Sequence, residues 1–156
     1  MNMKDTIIFD LQNSIKVQIK DGDKNSFNDL NKIYLLAPSY KDKDKTLLLK
    51  KKFIEAVFGM TQALSKQQAD TQIGTDDGSI DSKAIKTILY ASPNFDIVSY
   101  FKSFANLLLN VAFKDEEMKQ PFNSLDIEKI NQEDFEELLA KYLEVFFIVS
   151  WMKTLR

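Results

Sequence analysis

The 156-residue chain has no cysteine and no histidine, and only three prolines, four glycines and one tryptophan. Without cysteine there is no disulfide and no thiolate nucleophile. Without either residue type there is no Cys/His zinc site and no imidazole general base. A strong excess of one charge is also missing. Lys plus Arg make 21 and Asp plus Glu 23, a net charge of −2 with a pI near 5.2. A broad basic surface for nucleic acid is therefore not expected. Long uninterrupted apolar runs are lacking too. Phe95 to Phe113 is long enough to cross a bilayer, but Asp96, Lys102, Asn106 and Asn110 interrupt it. One charge at the bilayer centre costs about 2.5–3.5 kcal/mol. Val145 to Met152 is too short to span. The start, Met1-Asn2-Met3-Lys4-Asp5, lacks the apolar stretch and small-residue cleavage site of a signal peptide. These features predict no membrane partner and a cytoplasmic location.

What is present is the mix of an ordinary globular protein, 44% hydrophobic and 28% charged. A chain this long can bury roughly 68–70% of its unfolded surface in one core. The expected fold class is α+β, predominantly α-helical: a small N-terminal antiparallel β element and about four helices in a single domain, 1–156. The β element spans about 6–36. Thr6–Leu11 and Ile15–Lys20 alternate apolar and polar residues around Gln12-Asn13-Ser14, which reads as a hairpin turn. Ile15, Val17 and Ile19 share one face, and Lys16, Gln18 and Lys20 the other. Asp21–Ser26 reads as a polar loop, and Lys32–Leu36 as a third strand ended by Pro38.

A long helix is expected at about 42–68, opened by a Ser39/Asp42 capping box. Leu47, Leu49, Phe53, Ile54, Val57, Phe58 and Leu64 form its apolar stripe. Gly59 inside it weakens the helix by about 1 kcal/mol relative to alanine. The stretch 73–79, with Gly74 and Gly78, reads as a linker. Helices follow within 82–155: Ser82–Ala91, broken by Ser92-Pro93-Asn94; Phe95–Lys114; and a last helix from Asn131, its N-cap, to about 155. Glu133 and Asp134 in its first turn suit the positive end of the helix dipole. Eleven of the 18 aromatic residues lie from Phe95 onward, so the last two helices should supply much of the core.

No pattern that carries chemistry is complete. Asp21, Asp23, Asn25 and Asp29 fall at four ligand positions of an EF-hand loop. However, Ser26 replaces its glycine and Lys32 its bidentate glutamate, so the segment reads as an inter-strand loop. Gly74–Ser79 has the wrong spacing and no lysine for a phosphate cradle. Asp76/Asp77, Glu116/Glu117 and Glu136/Glu137 are sequence neighbours, which on a helix do not face one cleft. No catalytic, cofactor or metal residue is assigned, and an enzyme is the least favoured class. Lys41, Lys43 and Lys45 alternate with Asp42 and Asp44, and Lys50-Lys51-Lys52 follow, a solvated helix face in which Lys51 and Glu55 are spaced to pair. The residues proposed to meet a polypeptide partner are Phe146, Phe147, Trp151 and Met152 of the aromatic C-terminus, together with Lys50 and Lys51. For the aromatic set, burial in the core is the competing reading.

Two segments resemble small tail assembly chaperones of long-tailed bacteriophages. Ile33-Tyr34-Leu35-Leu36-Ala37-Pro38-Ser39 is similar to their strand and "Leu-x-x-Pro-Thr/Ser" entry to a long helix. Leu125-Asp126-Ile127-Glu128-Lys129-Ile130-Asn131-Gln132-Glu133-Asp134-Phe135, running on to Phe146-Phe147, is similar to their C-terminal helix with its paired aromatics. Together these cover about half the chain. Ala37 stands where many members carry an acidic residue, and the middle is longer. The resemblance implies a non-enzymatic chaperone of the host cytoplasm. It would bind the tape measure protein, help recruit tail tube subunits, and be absent from the mature virion. A homo-oligomer is a further option. The competing classes are a tail, baseplate or tail completion protein retained in the particle, and a small phage protein that binds a host protein.

Overall fold

The structure is a computed structural model that describes residues 6–67 and 81–148. The fold is α+β, with an N-terminal antiparallel sheet followed by helices. Strands β1 (Thr6–Asp21) and β2 (Lys24–Leu36) form one long hairpin. A 3-10 turn at Tyr40–Asp42 leads into α1 (Lys43–Gln67). Then come α2 (Ser82–Ala91), α3 (Ile97–Val111), β3 (Ala112–Phe113), α4 (Ser124–Glu128) and α5 (Gln132–Tyr142), and a π-helical turn, Leu143–Ile148. The chain divides into two compact units, Met1–Lys43 with Ala105–Phe135, and Asp44–Phe104 with Glu136–Arg156.

The hairpin departs from the sequence expectation. Gln12-Asn13-Ser14 is not its turn but part of a wide bulge inside β1. Asp10 pairs with Lys32 and Ile15 with Leu30, so Leu11 to Ser14 stand opposite Asn31 alone. The turn is at Gly22-Asp23, between the paired Asp21 and Lys24. Gly22 has φ +63° and Asp23 no positive φ, the pattern of a II′ turn with glycine first. Lys24–Ser26 are therefore strand, and Lys32–Leu36 is the end of β2 rather than a separate strand. The EF-hand-like segment is this turn plus an extended strand, so its oxygens do not wrap a common centre.

The bulge frees backbone amides, and a residue more than 120 positions away accepts them. Gln12 N and Asn13 N donate to the two carboxylate oxygens of buried Asp134, at 3.1 and 3.0 Å. Asp134 N in turn donates to Asn131 Oδ1 at 2.8 Å, so Asn131 is the N-cap expected for α5. The outward carbonyls of β1 are capped in a row. Lys129 Nζ donates to Lys16 O (2.7 Å), Lys114 Nζ to Gln18 O (2.8 Å) and Gln120 Nε2 to Lys20 O (2.7 Å). Side chains thus block an edge that would otherwise template another strand. Lys114 also forms an ion pair with Asp126 at 3.0 Å, both side chains nearly fully buried. Asp126 closes a capping box with Asn123 at the start of α4.

β3 pairs with Tyr34 and Leu35 of β2 and completes the sheet in the order β1-β2-β3. It also shortens the third helix. Phe95–Lys114 was expected to be helical, but the helix stops at Val111 because Ala112 and Phe113 go to the sheet. Leu11, Ile15, Val17, Ile33, Leu35, Leu107, Val111 and Phe122 are buried in this unit. Asp42 is buried there too. It accepts from Ser39 N (3.0 Å), Ser39 Oγ (3.2 Å) and Asn110 Nδ2 (2.8 Å).

The other unit is helical. α2 has the predicted bounds, with Ala84 N donating to the Asp81 N-cap (2.9 Å) and Ser92 closing its end. Lys86 and Tyr90 of α2 bond to Glu137 and Glu136 of α5, so the adjacent glutamates tie two helices together. Gly59 does not break α1. A Cβ there would collide with the Ser92 hydroxyl, so the end of α2 approaches α1 closely at this position. Tyr100 is fully buried and donates to Leu49 O at 3.0 Å. Burial pushes its phenol far above the ordinary value, so it stays protonated. The linker 73–79 lies outside the described residues.

Candidate functional site

At 100° per residue, an α-helix places residues 3, 4, 7 and 11 apart on one face. Thr46, Leu49, Phe53, Ala56 and Met60 obey that spacing on α1 and are its buried face. Leu47, Ile54 and Phe58 obey it as well, but about half a turn away. They lie within about 40° of one another on the opposite side. They are 61%, 42% and 64% exposed, and Leu48 is 43% exposed beside them. The single stripe expected from the sequence is therefore two. Leu49 and Phe53 go inward, Val57 is half-buried, and Leu47, Ile54 and Phe58 face solvent. Leu64 lies outside the described side chains. A helix buried on one side has no folding reason to carry large apolar side chains on the other.

The charges on this outer face are ordered. Lys51 lies on the apolar stripe itself, four residues after Leu47 and three before Ile54. Glu55 lies on one flank and Lys50 on the other, and all three are exposed. Lys51 and Glu55 do not form the helix pair their spacing suggests, since neither enters an ion pair among the described residues. Lys50 Nζ lies 5.4 Å from the centre of the Phe147 ring, a cation–π contact.

Among the residues assigned to a partner from the sequence, Lys50 and Lys51 flank and interrupt this stripe. Phe146 is half-buried, with its ring 4.8 Å from that of Tyr142. Phe147 is 4% exposed and packs edge-on against Tyr142 at 6.0 Å, so its side chain belongs to the helical core. Trp151 and Met152 lie outside the described residues. The residues missed as surface are Leu47, Ile54 and Phe58. A signal was present, because the seven apolar positions of α1 cover too wide an arc for one contact face.

Other surface features carry less. An open cleft of about 240 Å³ is lined by Ala105, Asn106, Leu109, Ser124, Ile127 and Glu128. It is below the roughly 300–1,000 Å³ of small-molecule sites. Of the other exposed aromatics, Tyr40 and Tyr90 bond to Lys43 and Glu136, and Phe27 stands singly on β2. No group of three acidic residues among the described residues is placed to hold a metal ion. No helix among them is long and apolar enough to cross a membrane. No family model, curated protein or solved structure matches the chain.

Proposed function

We propose that this chain is a non-enzymatic tail assembly chaperone of a long-tailed phage. It acts in the host cytoplasm, binds the tape measure protein, helps recruit tail tube subunits, and leaves before the virion matures. The observation that carries the reading is the outer face of α1, with Leu47, Ile54 and Phe58 held in solvent. A stripe at positions i, i+7 and i+11 is suited to a second amphipathic helix laid along it. The similarity of Ile33–Ser39 and of Leu125–Phe147 to such chaperones supports the same reading. Tape measure proteins are long amphipathic helices that need such a holder until the tube forms around them. Lys50 and Lys51 would favour acidic residues on the client's flank. Release during assembly calls for a small interface rather than a large one.

Co-expression tests the proposal. The wild-type chain should raise the soluble fraction of a tape-measure-like protein and co-purify with it. Phe58→Glu should abolish both effects while the chain stays folded. An equally insoluble client, or this chain found as a stoichiometric component of purified virions, contradicts the proposal.

A further inference from the structure

We propose that the outer face of α1 pairs with the same face of a second copy of this chain, in antiparallel orientation about a two-fold axis near residues 52 and 53. The inference deepens the proposed function and rests on its reading of this face as a protein-binding one. It names what covers the face when no client is bound.

The face is self-complementary. In an antiparallel pair about such an axis, residue numbers that meet add up to about 105. Leu47 then packs on Phe58 of the other copy, and Phe58 on Leu47, which closes the two ends of the stripe. In the middle, the stem of each Lys51 lies over the other copy's Ile54, so its alkyl chain is buried and its ammonium reaches the rim. Rotation about that axis keeps each flank of the helix on the same side of the interface. Lys51 and Glu55, whose numbers add up to 106, therefore meet across it, twice by symmetry. In the single chain these two exposed groups form no ion pair with each other. A parallel arrangement is disfavoured, since it sets Lys51 against Lys51 in the middle of the stripe. The antiparallel arrangement also opposes the two helix dipoles. The contact is isologous and therefore closed, giving a dimer and not a filament. A stripe of about three turns is small next to the roughly 800 Å² per partner of a standard interface. The dimer is consequently weak and yields to a client that uses the same side chains.

The absence of cysteine makes the register directly testable. Leu47→Cys and Phe58→Cys chains are prepared separately, checked for wild-type helix content by circular dichroism, mixed and mildly oxidised. The mixture should give a disulfide-linked pair of one chain of each kind, and neither variant alone should link. Along one helix positions 47 and 58 are about 16 Å apart, too far for a disulfide within a chain. Linking of Leu47→Cys to itself, or no linking in the mixture, overturns the proposal. Sedimentation equilibrium of the wild-type chain gives a second readout. Its mass should rise from one chain to two with concentration, and a mass of one chain throughout overturns the proposal. Lys51→Glu and Glu55→Lys should each weaken association about fivefold, and an equimolar mixture of the two should restore it. A monomer that still solubilises its client defeats the pairing but not the chaperone reading. A dimer of the stated register that solubilises no client defeats the chaperone reading alone.

Discussion

Lys114 and Lys129 allow a sharp test of what holds the sheet edge. Both donate to outward carbonyls of β1, at 2.8 and 2.7 Å, so a count of hydrogen bonds makes them equal. Their surroundings are not equal. Lys114 is buried and also pairs with buried Asp126 at 3.0 Å, whereas Lys129 is exposed. Lys114→Met strands the Asp126 carboxylate with little beyond the Asn123 amide and leaves Gln18 O without its ammonium. Breaking one side of a buried pair costs about 3–5 kcal/mol, because the other charge remains buried. Lys129→Met loses an exposed bond that water replaces, at a cost of about 0.5–1 kcal/mol. With a urea slope of about 2 kcal/mol per molar, the midpoint should fall by about 2 M for Lys114→Met and by less than about 0.5 M for Lys129→Met. Adding Asp126→Asn to Lys114→Met removes the orphaned charge and should recover part of the loss. Equal midpoints for the two lysine variants would refute the reasoning.

Further outcomes follow from single contacts. Gly59→Ala should destabilise the chain even though alanine favours helix by about 1 kcal/mol, since the new Cβ collides with the hydroxyl of buried Ser92. Adding Ser92→Ala removes that hydroxyl and should turn the loss into a gain, read as a melting-temperature difference between the single and double variants. For Asp42, burial raises the pKa and is the largest single influence. The Ser39 amide, the Asn110 side chain, the Ser39 hydroxyl and the charge of Lys41 together outweigh it and hold the carboxyl below the 3.8 of a free aspartate. A depressed folded pKa stabilises above the unfolded value and is lost as pH falls through the folded one. Urea midpoints at about pH 6 and about pH 3 should therefore differ less in Asp42→Asn than in wild type, through the loss of this linkage. An unchanged difference would exclude Asp42 from the acid response.

Local punctuation made part of the fold legible. Ser92-Pro93-Asn94 after Ala91 marks the end of α2, and the expected bounds agree. Asn131 was readable as a cap for the same reason. The hairpin was misread because Gln12-Asn13-Ser14 has turn composition but sits in a bulge whose freed amides go to Asp134. No local pattern can announce a partner more than 120 residues away. Helix α3 was drawn too long because Ala112 and Phe113 suit a helix equally well, and only pairing with Tyr34 and Leu35 makes them strand. The candidate surface was half legible. The apolar positions of α1 were visible, but which ones face inward depends on what packs beside Leu49 and Phe53. Phe147 drew attention as an aromatic near the chain end, yet its ring is buried against Tyr142.

The central claim is that the outer face of α1 grips another polypeptide. Calorimetric titration of a long amphipathic helical segment with an acidic flank into the full chain tests it most directly. Saturable binding that is lost in the Ile54→Glu, Phe58→Glu double variant, with helix content unchanged, is the predicted result. Binding of equal strength to that variant, or none to the wild-type chain, would contradict the account.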